Sequence, residues 1–216
     1  MSRPLQVEVF FDFICPWCLI GKRQFERALA DLQAAQPAAV VDVTWRGVQL
    51  LPDLPASGLP FAEFYVRRLG SEQAVRQRQA QVREVAGAAG VNIDFAAIAR
   101  MPNTADAHRL LARAAELGSP AQCDGLLERL FVAYFQNGED LGDPATLLAI
   151  AESCGFALAD LTDSLQGDGR PFVAGGMPAN GVPYFVFGRH LSLSGAQPAK
   201  VLLRAMQEAL AKGSAQ

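Results

Sequence analysis

The most constraining feature of the sequence is a pair of cysteines placed where a strand passes into a helix. Residues 10–18 read Phe-Phe-Asp-Phe-Ile-Cys-Pro-Trp-Cys, an apolar run typical of a buried strand that leads directly into Cys15 and Cys18. Apolar residues then recur at helical spacing, and Pro16 suits a first helical turn, where its missing N–H costs nothing. The pair is therefore predicted at the N-terminus of a helix.

A cysteine at the start of a helix has altered chemistry. Unsatisfied backbone N–H groups and the positive end of the helix dipole favour thiolate over thiol. Cysteines in such places commonly have pKa values of about 3.5–7.5. Cys15 is therefore the predicted nucleophile, and Cys18, one turn further on, is predicted to attack a mixed disulfide at Cys15 and release the product.

Two other uses of this cysteine spacing fit the sequence less well. A structural zinc site needs four ligands, and the remaining Cys123, Cys154, His108 and His190 show no ligand spacing with the pair. A structural disulfide across so short a loop would remove little entropy from the unfolded chain. A redox role without a metal is therefore predicted, and Cys123 and Cys154 are interpreted as packed small apolar residues.

The composition of the chain limits which kinds of partner and which cellular compartment we expect. The net charge of −3 and the pI of about 5.4 give no indication of nucleic-acid or anionic-membrane binding. No apolar run approaches the roughly 18 residues that a membrane span needs. The N-terminal residues lead into strand-like sequence without the apolar core of a signal peptide. We therefore expect a cytoplasmic protein, in which a close thiol pair is more often catalytic than structural.

The order of elements predicts an α/β fold interrupted by helices. Residues 5–13, a helix from about Pro16 to Ala35 and a β-branched strand at 40–45 form a β-α-β unit with parallel strands. Strands at 184–187 and 190–193 flank Gly188-Arg189, which has the form of a two-residue hairpin turn, and a final helix follows Pro198. We predict the divisions 1–50, 51–170 and 171–216, with an all-helical insertion in the middle.

Helix-start and helix-stop residues predict the helices of the insertion. The expected helices are near 61–69, from Ser71 to about Ala86, from Asn103-Thr104 to Gly118, from Pro120 to Asn137-Gly138, and from Asp143-Pro144 to Gly155. After a glycine-rich connection over 167–181, Val182-Pro183 precedes the third strand. Because proline cannot donate to a sheet ladder, this position indicates an edge or a special turn, with a cis or an ordinary trans bond.

Several motifs in order resemble the thioredoxin-fold DsbA family, and within it the FrnE-like branch. Similar proteins include 2-hydroxychromene-2-carboxylate isomerases and kappa-class glutathione transferases. The motifs are Asp12-Phe13-Ile14-Cys15-Pro16-Trp17-Cys18-Leu19-Ile20-Gly21-Lys22, Trp45-Arg46, Gly58-Leu59-Pro60-Phe61, Asn103-Thr104-Ala105-Asp106-Ala107-His108-Arg109, Gly181-Val182-Pro183-Tyr184-Phe185-Val186 and Ser194-Gly195-Ala196-Gln197-Pro198.

The resemblance implies a thioredoxin domain (β-α-β … β-β-α) split by the helical insertion. It implies a cis Pro183 opposite the cysteines and a Val182 backbone that pairs with an extended substrate like an added strand. Asn103 and Thr104 resemble the family's motif beside the ligand cleft and are assigned to substrate binding. Two features depart from the pattern: the segment before Gly181 is richer in helix breakers, and the additional C-terminal cysteine pair of some FrnE-like proteins is missing.

Three activities fit the resemblance. Related isomerases and transferases use glutathione and typically place a serine where this chain has Cys15, and a serine cannot form a disulfide. We therefore predict a thiol–disulfide oxidoreductase acting on a disulfide- or thiol-bearing protein or peptide, with no bound cofactor and with glutathione open as a co-substrate. The alternatives are a glutathione-dependent isomerase or transferase and a redox-gated holdase chaperone. Native substrate, physiological direction and oligomeric state stay open.

Other side chains near the cysteines have two interpretations each. Asp12 is either a proton relay for Cys18 or a strand-end carboxylate that is hydrated or caps the next helix. Pro16 and Trp17 are assigned to substrate contact, although aromatic packing also explains Trp17. Lys22 and Arg23 either support the thiolate electrostatically or are solvated, as long basic side chains on a helix usually are. His108 belongs to the motif that resembles the family's ligand cleft, but it is interpreted as a histidine on a helix surface.

Overall fold

The chain forms two compact units, and the first is built from both ends of the sequence. A computed structural model describes residues 4–173, 181–188 and 191–213. Unit 1 comprises residues 1–48, 89–91 and 174–216, and unit 2 comprises residues 49–88 and 92–173. The predicted divisions at 50/51 and 170/171 stay a prediction.

The described elements follow one another in the predicted order. Unit 1 contains β1 (Leu5–Phe11), α1 (Pro16–Ala35), β2 (Val41–Gly47), β5 (Tyr184–Phe187), β6 (Leu191–Ser194) and α7 (Ala199–Gly213). Unit 2 contains β3 (Leu59–Pro60), α2 (Phe61–Leu69), α3 (Glu72–Ala88), β4 (Arg100–Met101), α4 (Ala105–Leu117), α5 (Pro120–Phe135), α6 (Pro144–Ser153) and two 3₁₀ turns (Leu158–Asp160 and Thr162–Ser164). No helix of the described segments is long and apolar enough to cross a bilayer.

Unit 1 is organised around a mixed four-stranded sheet with strand order β2-β1-β5-β6. β1 pairs in parallel with β2, from Leu5 opposite Val41 to Phe11 opposite Gly47. Its other edge pairs antiparallel with β5, where Val7 lies opposite Phe187, and β5 pairs antiparallel with β6. The β-α-β and β-β-α halves therefore share one sheet, as predicted, with β1 as an interior strand.

The core of unit 1 lies on one face of this sheet. Along β1, buried positions alternate with more accessible ones, because successive side chains of a strand point to opposite faces. The buried side chains meet apolar positions of α1 and α7, and each such Leu or Phe contributes roughly 1.5–3 kcal/mol by leaving water. The cluster contains Leu5, Val7, Val9, Phe25, Ala28, Leu32, Phe185, Phe187, Leu202, Ala205 and Met206.

The regular elements of unit 2 are helices apart from the short β3–β4 pair, and local capping explains where two of the helices begin. Ser119 and Gln122 form a capping box at α5, and Asp143 accepts hydrogen bonds from the N–H and hydroxyl of Thr146 at α6. At the other end of α2, Gly70 adopts a left-handed conformation (φ 88°). The five predicted helices of the insertion are all present, with ends within about two residues of those expected. The short β3–β4 pair was not predicted.

Part of two predicted connections lies outside the described residues. Arg189 of the predicted hairpin turn and His190, the predicted first residue of the next strand, belong to that set, as do residues 174–180 of the glycine-rich connection. Gly188 is described: it has a positive φ of 61°, and its N–H donates to the carbonyl oxygen of Gln6 at 2.7 Å. This bond ties the end of β5 to the start of β1.

Candidate active site

The two cysteines lie at the junction of β1 and α1, as the sequence predicted. After β1 ends, a tight turn is closed by the N–H of Cys15, which donates to the carbonyl oxygen of Asp12 at 3.1 Å. Cys15 is the N-cap of α1 with extended backbone angles (φ −91°, ψ 108°), and Pro16 is the first helical residue. The N–H of Cys18 donates to the Cys15 carbonyl oxygen at 3.0 Å, so backbone bonds hold the cysteines one turn apart.

The residues of this Cys-x-x-Cys turn differ in their access to solvent. Cys15 is 7% exposed and Cys18 only 1% exposed, whereas Pro16 and Trp17 are half-buried. Both cysteines are free thiols. Cys15 is therefore the more exposed residue of the two cysteines, and the residues between them are more exposed than either.

The environment of Cys18 keeps its sulfur protonated in the reduced protein. Burial raises the pKa of the Cys18 thiol well above its ordinary value, and the hydrogen bond to the Cys15 sulfur and the charge of Cys15 raise it further. The backbone of Asp12 opposes the rise through a hydrogen bond to the Cys18 sulfur, while the Asp12 carboxylate adds to it. Cys18 is therefore a thiol at neutral pH.

Val182 and Pro183 supply the facing side of the cysteine site. The bond between them is cis, as the resemblance implied, and the Cys15 thiol lies 3.8 Å from the carbonyl oxygen of Val182. Pro183 is buried, and its own carbonyl oxygen accepts a hydrogen bond of 2.8 Å from the N–H of Gly195. The loop before β5 is therefore anchored to the β5–β6 hairpin.

Two buried charged side chains belong to the same unit. Asp12 is fully buried and Lys22 is 1% exposed. Lys22 forms an ion pair with Glu26, whose second oxygen accepts a hydrogen bond from Arg23 at 2.7 Å. The prediction that Lys22 is solvated is wrong, because Lys22 follows Cys18 by four residues and lies on the buried face of α1. The four-residue spacing from Cys18 could have indicated from the sequence that Lys22 is buried.

The side chain of Asn103, assigned from sequence to substrate binding, is fully engaged within unit 2. Its amide nitrogen donates to the carbonyl oxygens of Leu54 (2.6 Å) and Gly169 (3.2 Å). Its amide oxygen accepts from the Gln49 side chain (2.8 Å) and the N–H of Ala105 (3.0 Å). An asparagine side chain has two donor hydrogens and two acceptor lone pairs, so all four are occupied.

The neighbouring Thr104 and His108 are also buried in unit 2. Thr104 is the N-cap of α4 and is 1% exposed, and its hydroxyl finds no hydrogen-bond partner among the described residues. His108 is 2% exposed and stacks on the Phe172 ring at 5.2 Å between centroids, so its interpretation as a surface histidine is wrong. That Asn103 and Thr104 bind substrate stays a prediction, because the cysteines belong to unit 1.

Sequence reasoning did not assign Asp106 and Arg109, which hold the chain after the 3₁₀ turns. The Asp106 carboxylate accepts from the N–H groups of Gln166 (3.0 Å) and Gly167 (2.7 Å) and pairs with Arg109 (2.7 Å). Arg109 also donates to the carbonyl oxygen of Arg170 at 2.7 Å. Together with Asn103, these side chains fasten residues 166–170 to α4. The sequence feature that could have indicated this role is the Asn-Thr-x-Asp-x-x-Arg pattern at the start of α4.

The two remaining cysteines lie in unit 2 and are half-buried. Burial raises the pKa of the Cys123 thiol, which donates to the carbonyl oxygen of Ala114 at 3.4 Å. Cys154 caps the C-terminus of α6. Among the described residues, no group of three or more His, Cys, Asp or Glu side chains is placed to hold a metal ion.

Comparison with known proteins identifies the family. The sequence profile of the DSBA-like thioredoxin domain matches residues 6–170. The chain belongs to this family. A crystal structure of a probable DsbA oxidoreductase from Streptomyces coelicolor is 26% identical, with a TM-score of 0.79 over 96% of this chain and 91% of that chain. The uncharacterized protein YwbO of Bacillus subtilis (strain 168) is 26% identical over 162 residues, covering 75% of this chain and 72% of YwbO.

A third similarity concerns the fold alone. The structure of a 2-hydroxychromene-2-carboxylate isomerase has a TM-score of 0.56 and 14% identity, over 97% of this chain and 98% of that chain. These matches confirm the predicted α/β thioredoxin-like fold with a mixed sheet and a helical insertion. This chain therefore belongs to a DsbA-like family of thiol–disulfide oxidoreductases, and it has a Cys-x-x-Cys pair at the start of α1.

Proposed function

We propose that this DsbA-like protein exchanges disulfides with protein or low-molecular-weight thiol partners through Cys15 and Cys18. The observation that carries the proposal is the unequal pair at the start of α1. Cys15 is the more exposed residue of the pair (7% against 1%), and its sulfur lies 3.8 Å from the Val182 carbonyl oxygen, while Cys18 lies one turn behind. We assign the attack on the partner to Cys15 and the resolution of the mixed disulfide to Cys18.

Reduction of a partner disulfide takes two steps. In the first, the Cys15 thiolate attacks one sulfur of the partner, a bond forms between them, and the partner's S–S bond breaks to release a thiolate that takes up a proton. In the second, Cys18 loses its proton and attacks the Cys15 sulfur, releasing the partner as a dithiol. The two cysteines end as a disulfide, having given two electrons to the partner.

The pKa of Cys18 supports this order of events. While Cys15 is a thiolate, its charge and the hydrogen bond between the two sulfurs help to keep Cys18 protonated. Both contributions disappear when Cys15 enters the mixed disulfide, because the disulfide sulfur carries no charge. The pKa of Cys18 therefore falls at the step in which Cys18 must become a thiolate.

Three groups are assigned supporting roles. The fully buried Asp12 carboxylate, whose charge acts on Cys18, is the proposed acceptor of the Cys18 proton. The Val182 backbone is proposed to pair with an extended partner, since its carbonyl oxygen lies 3.8 Å from the Cys15 sulfur. Pro183 closes that side of the site, and Pro16 and Trp17 are proposed to contact the partner at the rim.

The regenerating reaction requires a thiol, and we propose glutathione. Two glutathione molecules restore the Cys15–Cys18 dithiol and leave as one glutathione disulfide, so the electrons balance. This assignment fits a place in the FrnE-like branch of the family and a cytoplasmic site of action.

Insulin reduction with glutathione as reductant tests the proposal. Wild type is expected to accelerate it, and Cys15→Ser is expected to return the rate to the uncatalysed one, because serine cannot form a disulfide. Cys18→Ser is expected to accumulate a mixed disulfide at Cys15, which mass spectrometry detects, and Asp12→Asn is expected to slow its resolution. Cys123→Ser is the matched control and is expected to match wild type.

Two results contradict the proposal. Activity that survives Cys15→Ser and needs only glutathione supports an isomerase or transferase acting on a small substrate. Suppression of client aggregation without any turnover of disulfides supports a chaperone. An Asp12→Asn variant that resolves the mixed disulfide at the wild-type rate removes Asp12 from the mechanism and leaves the cysteines in place.

A further inference from the structure

Gly21 is the sixth residue of α1, where glycine has no local conformational reason to be. It is buried and helical, and glycine is among the poorest helix formers. A glycine inside a helical pattern therefore needs a packing reason. Gly21 lies one turn beyond Cys18 on the helix that carries both catalytic sulfurs.

The packing reason is the approach of the Val182-Pro183 loop. A Cβ atom at residue 21 would lie 3.0 Å from Cγ and 3.4 Å from Cβ of Pro183, and 3.4 Å from Cζ of Phe185. Contacts of 3.0–3.4 Å are tighter than ordinary van der Waals packing, so the neighbours would have to move by a few tenths of an ångström. The absence of a side chain at Gly21 thus allows α1 and this loop to approach closely.

Neither neighbour has room to move without disturbing the sheet. The Pro183 carbonyl oxygen accepts from the N–H of Gly195 at 2.8 Å. Phe185 is fully buried in the middle of the sheet, and its ring packs against Phe25 at 5.6 Å between centroids. A side chain at residue 21 would therefore be accommodated by separating α1 from the loop, which lengthens the distance between Cys15 and Val182.

We propose that Gly21 is a positioning residue that sets the gap between the Cys15 sulfur and the Val182 backbone. The inference rests on the proposed disulfide exchange, because the gap is where the backbone of an extended partner pairs while Cys15 reacts. Gly21 acts through Pro183 and touches no reacting atom. A wider gap weakens the pairing of a partner segment, whereas a small reagent that needs only the sulfur does not sense it.

The test compares Gly21→Ala with Gly125→Ala. Gly125 is likewise the sixth residue of its helix, α5, and a Cβ there would have no atom within 4 Å. Steady-state reduction of an extended peptide disulfide gives kcat and KM, and alkylation by iodoacetamide gives the reactivity of Cys15. We expect Gly21→Ala to raise KM about threefold to tenfold, since displacements of this size cost a fraction of the roughly 100-fold loss for 1 Å. Alkylation is expected to stay within about twofold of wild type, because no partner segment is involved.

A second background separates the contact from a general effect on folding. In Pro183→Ala the closest contacting atom, Cγ of Pro183, is gone, so adding Gly21→Ala is expected to raise KM less in that background than in wild type. This pair also gives a result if the single variant fails to fold. An unchanged KM in Gly21→Ala, an equal change in both backgrounds, or a parallel loss of alkylation overturns the inference. A wild type without turnover overturns the proposed disulfide exchange instead.

Discussion

Replacing Asn103 by alanine tests whether this side chain stabilises unit 2 or binds substrate. The substitution removes four hydrogen bonds, three of them buried and the one to Gly169 partly buried. Each is worth a net of about 1 kcal/mol, and a buried group left without a partner costs about 1–3 kcal/mol. Water can hydrogen-bond to the partly buried carbonyl oxygen of Gly169 in place of Asn103. We therefore expect the free energy of unfolding to fall by about 3–5 kcal/mol.

The two units can be monitored separately during urea unfolding. Both tryptophans of the chain, Trp17 and Trp45, belong to unit 1, so fluorescence follows that unit. Far-ultraviolet circular dichroism is dominated by the helices, most of which belong to unit 2. Asn103→Ala is expected to shift the transition followed by circular dichroism to lower urea concentration. If the transition followed by fluorescence then no longer coincides with the one followed by dichroism, the two units unfold separately.

Two further variants sharpen this test. Asn137→Ala removes an exposed hydrogen bond to Glu139 and is expected to stay within about 0.5 kcal/mol of wild type. Asn103→Asp keeps the shape and the two accepted bonds but faces the carbonyl oxygens of Leu54 and Gly169 with an oxygen, so it is expected to destabilise as well. The reasoning is refuted if Asn103→Ala unfolds within about 1 kcal/mol of wild type and instead raises KM for a peptide disulfide.

Two more predictions concern pH and helix capping. Because the folded-state pKa of Cys18 lies above its unfolded value of 9.0, the reduced folded protein binds more protons above that pH, and its unfolding free energy is expected to fall by up to about 1.4 kcal/mol per pH unit. Urea unfolding in reductant across that range measures the slope, which should diminish in Cys18→Ala; an unchanged slope would contradict the assignment. Asp143→Ala, which removes the acceptor for Thr146, is expected to cost about 1 kcal/mol at neutral pH and Asp143→Asn much less. These hydrogen bonds lower the pKa of Asp143, so their stabilisation is lost when the carboxylate is protonated. The difference in melting temperature between wild type and Asp143→Ala should therefore shrink as the pH falls below about 4. A difference that stays constant would exclude the carboxylate as its source.

Local sequence patterns predicted the elements because those elements follow local rules. The β-branched run of β2 and the Asp143-Pro144 start of α6 are each determined by neighbouring residues. The cysteine site was predictable for the same reason, since Cys15, Pro16 and Cys18 lie within a single turn. The facing Val182 was reachable only through the family resemblance, because no local rule brings it to Cys15.

Contacts between distant segments explain what the sequence did not predict. Gly118 ends α4, as predicted, but its backbone is extended (φ −94°), and a Cβ there would lie 2.7 Å from the Phe156 ring, a contact that the sequence did not indicate. His108 is buried by stacking on Phe172, which lies far along the chain. In both cases the residue packs against a partner distant in sequence, which the periodicity of apolar residues does not predict.

The interior position of β1 has a consequence for synthesis of the chain. One edge of β1 pairs with β2, which emerges soon afterwards, but the other edge waits for β5, where Phe187 pairs with Val7. About 180 residues separate these partners, so at 5–20 residues per second a ribosome leaves that edge open for roughly 10–40 s. During this interval the nascent chain carries Cys15 and Cys18 without the Val182-Pro183 segment that faces them, and the open edge of β1 is then available to a chaperone that binds unpaired strands.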